Sequence, residues 1–503
     1  MIARIYSAIP HGFTGKIVEV EGDMNRGLPS FNIVGMANKT INESKERVRS
    51  ALVNSGFSFP SKKVTINLAP ADLEKDGSYL DLPIALSILV LSKQLLESDT
   101  RGKMFVGELS LDGELRPIRG IINIVEMAKK FGVEEIYVPI KNLSQATLID
   151  GVKIYGADTL DNLFLQLKKQ GETCKLGSPT TSPLKEKSIP AGVTLDQIRG
   201  QKIAKRALEI AVAGHHNLLI SGPPGAGKTL LAKAAANLLP ALTAKEKIEI
   251  TKIYSIAGLV TDEIIPSRPF RSPHHTASAT SIIGGANGPG EISLAHKGIL
   301  FLDEIPEFPR SVIESLRQPL EDKQITISRA NLKSTYPADF MLIATMNPCP
   351  CGYYGDPTHE CTCSVSQISQ YQKKLSGPLF DRIDMSINVD KVENAELIRN
   401  LPTESNEHSV VKNNITEAIM RQRSRYGQEY GLFNSSLSSF HVSKMLKMNN
   451  GARTLLSTAS DKLNLSARAY FRTIKVAQTI ADLEEAEEIS TSHITEALTY
   501  RRK

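Results

Sequence analysis

The sequence predicts an α/β core built on a parallel sheet, preceded by a compact α+β domain and followed by an all-helical region. Three observations carry this. The buried-strand run Asn217-Leu-Leu-Ile220 leads into a glycine-rich turn and a helical pattern, and a second apolar run, Gly298-Ile-Leu-Phe-Leu302, ends in two acids. From about residue 393 to 503 the periodicity is helical, with caps such as Ser490-Thr-Ser-His before Ile494 to Tyr500. The length of 503 residues, at roughly 150 per domain, implies about three domains. Hydrophobic residues at 41% and charged residues at 23% exclude a disordered, collagenous or disulfide-stapled chain. The balance of 60 Lys plus Arg against 54 Asp plus Glu leaves +6, which permits a polyanionic partner without requiring one.

Taken in order, residues 1–166 alternate β-branched runs such as Lys63-Val-Thr-Ile-Asn-Leu68 with helical patterns such as Leu82 to Leu96. Residues 167–191 turn to Lys, Thr, Ser, Pro and Gly without apolar period and read as a linker carrying the unpaired Cys174. Residues 192–392 hold the α/β core, and residues 393–503 the helical domain. The longest apolar stretch, Leu82 to Leu91, is broken by Pro83 and Ser87 and is half the ~20 residues a bilayer requires. The N-terminus lacks an apolar signal region, so the expectation is a cytoplasmic protein with no membrane partner.

Gly222-Pro223-Pro224-Gly225-Ala226-Gly227-Lys228-Thr229 fits the phosphate-loop pattern and sits between a strand and a helix, where that motif operates. Its glycines let backbone N–H groups curl around phosphate oxygens at the positive end of a helix. Lys228 adds a charge, and the Thr229 hydroxyl suits Mg²⁺. A metal-bound triphosphate also needs a carboxylate at a neighbouring strand end. Asp303 is placed to hold Mg²⁺ through water and Glu304 to orient or deprotonate an attacking water. ATP and Mg²⁺ are therefore the expected cofactors. The run Phe340-Met-Leu-Ile-Ala-Thr-Met-Asn347 ends in an amide that either positions that water or simply forms a turn. Gly200-Gln201 is either an adenine contact or a polar surface turn.

Four of the five cysteines, Cys349, Cys351, Cys361 and Cys363, form C-x-C-x9-C-x-C. This is enough thiolates to close a tetrahedral Zn²⁺ shell, although the spacing is tighter than the usual C-x2-C. Structural zinc is the expectation, with free thiols, a disulfide and an iron–sulfur cluster as alternatives. Gln324 to Tyr336 alternates around an Ala-Asn tip and reads as a β-hairpin. The glycine-rich insertion from about Ile256 to Ala295 carries Arg268, Arg271, His274 and His275 without a clear element.

Phosphate loop, Asp-Glu strand and Asn-ended strand, followed by Asp381-Arg-Ile-Asp384 and Ser466-Ala-Arg468, resemble an AAA+ P-loop ATPase of the magnesium-chelatase-like branch. Pro269-Phe-Arg-Ser-Pro-His-His275, Gly284-Gly285, Pro289-Gly-Glu-Ile-Ser-Leu-Ala-His296, the cysteine segment and Ser466-Ala-Arg-Ala-Tyr-Phe-Arg472 resemble the ComM (YifB) family specifically, over essentially the whole chain. The resemblance implies a homohexameric ring with ATP between neighbours. Arg382 would be an arginine finger reaching the adjacent subunit, and Arg468 a lid arginine contacting nucleotide. The local alternative for Arg382 is a pair with Asp381 or Asp384. The resemblance further implies that the hairpin and the insertion line the ring channel, which makes Arg329, Lys333 and Arg271 candidate DNA contacts.

Lys75-Asp-Gly-Ser-Tyr-Leu-Asp-Leu-Pro83 and Gly107-Glu-Leu-Ser-Leu-Asp-Gly-Glu-Leu-Arg-Pro-Ile118 resemble the proteolytic domain of Lon-type proteases, with a ribosomal protein S5-like fold. Tyr79 stands where the nucleophilic Ser is needed and Ile122 where the Lys is needed, so protease chemistry is not expected. The function these resemblances imply is an ATP-dependent DNA motor, a helicase or branch-migration translocase in homologous recombination and natural transformation, acting on single-stranded or branched DNA with recombination proteins as further partners. The alternatives are a chelatase-like or chaperone ATPase that remodels a protein partner, and an ATP-switched scaffold.

Overall fold

The computed structural model describes residues 2–35, 39–73, 75, 78–178, 192–260, 263–285, 288–329, 332–356, 359–375, 377–392, 406–427 and 433–501. Its centre is a five-stranded, all-parallel sheet in the order Phe270–Arg271, Ile299–Leu302, Met341–Met346, Leu218–Ser221, Met385–Asn388. A parallel sheet is covered on both faces, and here the strand alternation shows how. Leu218, Ile220, Phe301, Ile343 and Ile387 face one apolar cluster, which is completed by helices Lys202–Gly214 and Lys228–Leu238 and by the C-terminal helices. Leu219, Leu300, Leu302, Leu342 and Ala344 face the other, against Val312, Leu316 and Leu379. The edge strands at Phe270 and Met385 escape sequence reading because the first has only two residues and the second only four, too few to establish a period.

Helices Glu407–Tyr426, Ser439–Met445, Asn450–Leu463, Ala467–Leu483 and Thr491–Thr499 make the C-terminal region helical, as expected. The insertion expected without clear elements contains the end of helix Ala244–Ile256, the edge strand, a short helix Ala279–Ile283 and a two-stranded turn pairing Gly284–Gly285 with Gly288–Pro289.

The N-terminal region is an eight-stranded mixed sheet whose helix Asp81–Leu91 is buried at every position. It does not end where the linker was expected to begin. Residues 167–178 belong to it: Lys175–Leu176 pairs antiparallel with the Lys153–Ala157 strand, Cys174 is buried, and Gln166 Oε1 accepts from the backbone N–H groups of Thr173 (2.9 Å) and Cys174 (3.2 Å). A two-residue strand has no readable periodicity, hence the correction. Residues 179–191 lie outside the described residues.

The N-terminal region packs on helix Ala244–Ile256. The Ser255 hydroxyl accepts from the Gly120 N–H (3.0 Å) and donates to Gln145 Oε1 (2.9 Å), and Lys252 pairs with Glu126 (2.8 Å). Phe13 lies 4.2 Å from the Lys252 ammonium and, like Ile256, Ile283 and Ile327, packs against the second apolar cluster of the parallel sheet. Among the described residues no helix is long and apolar enough to cross a membrane.

Candidate functional site

Three strand ends converge at the C-terminal edge of the parallel sheet. The phosphate loop leaves strand Leu218–Ser221 and enters helix Lys228–Leu238, with Gly225 (φ +80°) and Gly227 (φ +82°) in the left-handed region that allows the backbone to curl. The Lys228 ammonium donates to the Asn347 side-chain oxygen (2.8 Å) and to the carbonyls of Gly222 and Pro223. Burial pulls its pKa below the ordinary lysine value, and the charges of Asp303 and Glu304 oppose that shift. Thr229 Oγ1 donates to Asp303 Oδ2 (3.3 Å), so the two residues expected at a magnesium ion face each other.

Glu304 adopts a left-handed backbone (φ +50°), uncommon for a residue with a β-carbon, as the chain kinks into the turn Ile305–Glu307. The kink brings Glu304 Oε1 to the Asn347 amide, which donates at 3.1 Å. Asn347 thus bridges Lys228 and Glu304 and is more than a turn former. Thr345, which the sequence reading passed over, organises the acids: its buried hydroxyl donates to Asp303 Oδ1 (2.5 Å) and accepts from the Glu304 N–H (2.9 Å). The only signal for it was a hydroxyl inside an otherwise apolar strand. Gln201 donates to the carbonyls of Asp390 (2.6 Å) and Ala226 (3.4 Å) and so buttresses the loop.

The four cysteines lie beside this edge, with all four sulfurs within 4.8 Å of one another. The Cys349–Cys351, Cys349–Cys361 and Cys351–Cys361 separations are 3.3, 3.7 and 3.6 Å. Four thiolates bound at ~2.3 Å around one tetrahedral centre stand about 3.8 Å apart, whereas a disulfide needs about 2.05 Å. The cluster therefore suits a structural zinc and contains no disulfide. Cys351 is drawn down to about 6, first by the Tyr353 backbone N–H. Gly352 (φ +86°) places this loop on the phosphate loop: a β-carbon there would lie 2.7 Å from Pro224 Cδ, so only glycine allows the approach.

Arg382 and Arg468 are elsewhere. Arg382 precedes strand Met385–Asn388, whose Met385 pairs with Leu218 and whose Asn388 pairs with Ser221, so it sits at the N-terminal edge of the sheet. The Asn217 amide, at the start of the phosphate-loop strand, donates to its carbonyl (3.1 Å). Four strand residues, about 13 Å, separate that edge from the phosphate loop. The Arg382 guanidinium pairs with Glu321 (2.6 Å), not with Asp381 or Asp384, the local alternative. Asp384 is buried, and Arg472 takes its carboxylate. Arg468 also pairs with Glu321 (2.8 Å), so the structure brings it to Arg382 and not to Lys228.

Of the expected DNA contacts, Arg271 is half-buried in the edge strand and held at both ends of its guanidinium by Glu291 (2.5 and 2.6 Å), so it is already engaged within the chain. Strands Gln324–Arg329 and Leu332–Pro337 form the expected hairpin, with Arg329 opposite Leu332 and Ser328 opposite Lys333. The side chains of Arg329 and Lys333 lie outside the described residues.

The family models for "Magnesium chelatase, subunit ChlI", "Subunit ChlI of Mg-chelatase" and "Magnesium chelatase, subunit ChlI C-terminal" match residues 194–397, 20–142 and 405–501. The competence protein ComM of Haemophilus influenzae is 42% identical, covering 99% of this chain and 97% of its own length. The YifB proteins of Salmonella typhimurium and Escherichia coli K12 are each 40% identical, over 99% of this chain and 97% of theirs. A phosphate loop joined through Asn347 to an Asp-Glu strand, with full-length similarity of this degree, means that the chain belongs to the ComM/YifB family of magnesium-chelatase-like AAA+ ATPases.

Proposed function

We propose that this protein is an ATP-driven, ring-shaped DNA motor, a helicase or branch-migration translocase, that hydrolyses ATP at the seams between identical subunits. One observation carries the reading: Lys228, Asp303, Glu304 and Asn347 occupy one end of the sheet, while Arg382 and Arg468 occupy the other. The arginines cannot reach their own phosphate loop, so a catalytic centre that uses both sets needs a second copy. The residues at the phosphate-loop end fit ATP and Mg²⁺. Backbone N–H groups of 222–229 and Lys228 would hold the phosphates, with Thr229 and Asp303 at the metal, which neutralises phosphate charge. Glu304, aimed by Asn347, takes the proton of the attacking water. Arg382, and with it Arg468, stabilises charge on the transferred phosphoryl of the neighbour. The closed ring is taken as a hexamer.

The hairpin 324–337 is the element we assign to DNA, with Arg329 and Lys333 gripping phosphates without reading sequence. The competence relative favours recombination of incoming DNA as the setting, with recombination proteins as partners. Domains at 1–178, 192–392 and 393–503 and a zinc at the four cysteines complete the proposal. The N-terminal domain is proposed as Lon-like in fold and inert as a protease. Tyr79 and Ile122 replace the dyad, Ser78 donates to Glu108, and the buried Lys75 ammonium is capped by the carbonyls of Gly35, Leu68 and Pro70.

The test is ATPase turnover with and without single-stranded DNA, together with a labelled four-way junction. Wild type should be stimulated and should move the branch, and Glu304→Gln should do neither. Unstimulated turnover with intact junctions would leave the chelatase-like, partner-remodelling alternative.

A further inference from the structure

Glu321, near the end of the short helix Arg317–Asp322, divides its carboxylate between two arginines from distant segments. Oε2 accepts from Arg382 Nη2 at 2.6 Å, and Oε1 pairs with Arg468 Nη2 at 2.8 Å. The two arginines differ in how much else holds them. Arg382 also donates from Nε to the Arg317 carbonyl (3.2 Å) and from Nη1 to the Pro378 carbonyl (2.7 Å), and its side chain is only 10% exposed. Arg468 is 55% exposed, and Glu321 is its ion-pair partner among the described residues. One helical turn on, Arg472 donates to the Arg382 carbonyl (2.7 Å) and pairs with Asp384, so helix Ala467–Leu483 is already bolted to the segment that carries Arg382.

Two guanidinium groups brought to one place repel each other, and a carboxylate shared between them offsets that repulsion while fixing their geometry through charge-assisted hydrogen bonds. We propose that Glu321 is the positioning residue of the trans-acting arginines: it couples the exposed Arg468 to the anchored Arg382 so that both meet a neighbour's triphosphate as one unit. The inference rests on the interface reading above and adds to it a residue that no sequence motif contains.

The asymmetry of anchoring sets the expected result. Glu321→Gln should lower kcat about tenfold with KM for ATP and the melting temperature unchanged, since it disturbs placement of the arginines and not the nucleotide cradle. It should resemble Arg468→Ala, and the double variant should be no worse than either single one, because residues acting as a unit are non-additive. Mixing Glu321→Gln subunits with Lys228→Ala subunits, whose arginines are intact, should restore turnover. Wild-type or raised turnover of Glu321→Gln, or strictly additive losses with Arg468→Ala, overturns the proposal. Arg382→Ala in the same mixing assay is the separate control. If it is not rescued by Lys228→Ala, the interface reading itself fails. If it is rescued while Glu321→Gln turns over normally, only the role of Glu321 falls. Glu321→Asp, which keeps the charge, is the second variant should Glu321→Gln melt low, and it should retain more turnover than Glu321→Ala.

Discussion

At the C-terminal edge of the five-stranded sheet the working groups come from short contiguous motifs: 222–229, Asp303-Glu304 and Asn347, each hanging from the end of a buried strand. At the N-terminal edge they come from three separate segments, with Glu321 from a short helix, Arg382 and Asp384 from a turn, and Arg468 and Arg472 from helix Ala467–Leu483. The first set is held largely by backbone geometry and by hydrogen bonds between residues whose order in sequence already announces them. The second exists only once the C-terminal helices have packed on the sheet. A parallel sheet explains the contrast, because its loops at the C-terminal ends converge on one crevice. The opposite end has no such convergence and must be assembled by tertiary contact.

Disabling one edge at a time should have the largest effect. Lys228→Ala and Arg382→Ala should each lower ATP turnover by about 10³-fold or more, and a mixture of the two should recover a fraction, because intact edges then meet at some seams. No recovery at any ratio would show that the two edges do not share a centre. A smaller effect sharpens the account of the first edge. Thr345→Val keeps the shape of the side chain but leaves Asp303 and the Glu304 N–H each short of one partner, at about 1–3 kcal/mol. Turnover should fall roughly tenfold to a hundredfold, and an unchanged rate would mean that the acids are placed by the strand alone.

The cysteine loop tests whether the first edge needs support from outside its motifs. Metal analysis of protein purified without chelator should find about one zinc per chain. Cys361→Ser should lower the melting temperature and weaken ATP binding several-fold through the Gly352–Pro224 contact, with less effect on rescue of Arg382→Ala subunits. Equal nucleotide affinity with and without metal would uncouple the loop from the site.

A separate effect belongs to the second edge and is read with pH. Burial holds His215 at about 3 and His216 at about 4, so both rings are neutral when folded and protonate near 6.5 when unfolded. The unfolded chain binds more protons below 6.5, so stability falls as pH drops from 6.5 toward 4, by on the order of 2 kcal/mol per ring at pH 5. His216 donates to or accepts from Thr479 at 2.8 Å and faces Asp384, so the loss should loosen the C-terminal helices from the arginine segment. A melting midpoint equal at pH 7 and pH 5 would contradict this.

Much of the site was legible because each of its parts had a local reason to be where it is. A phosphate loop needs a strand before it and a helix after it, and an acid at the end of an apolar run is a strand end. The edge strand at Phe270, the extension of the N-terminal region to Leu176 and the elements inside the insertion were not legible, since strands of two residues and helices of four or five carry no period. Thr345 was missed because one hydroxyl in a buried strand reads as packing.

The order of residues was enough for the parallel α/β core, the helical C-terminal region and the identity of the side chains that gather at the phosphate-loop edge, because local hydrophobic period and short motifs dictate backbone geometry within a few residues. Only the tertiary structure decided that Arg468 stands with Arg382 on Glu321, that Arg271 is held by Glu291, and that the cysteine loop leans on Pro224. Those pairings join positions between 20 and about 150 residues apart, and long-range contacts of that kind are set by how packed layers come together, which no local pattern records.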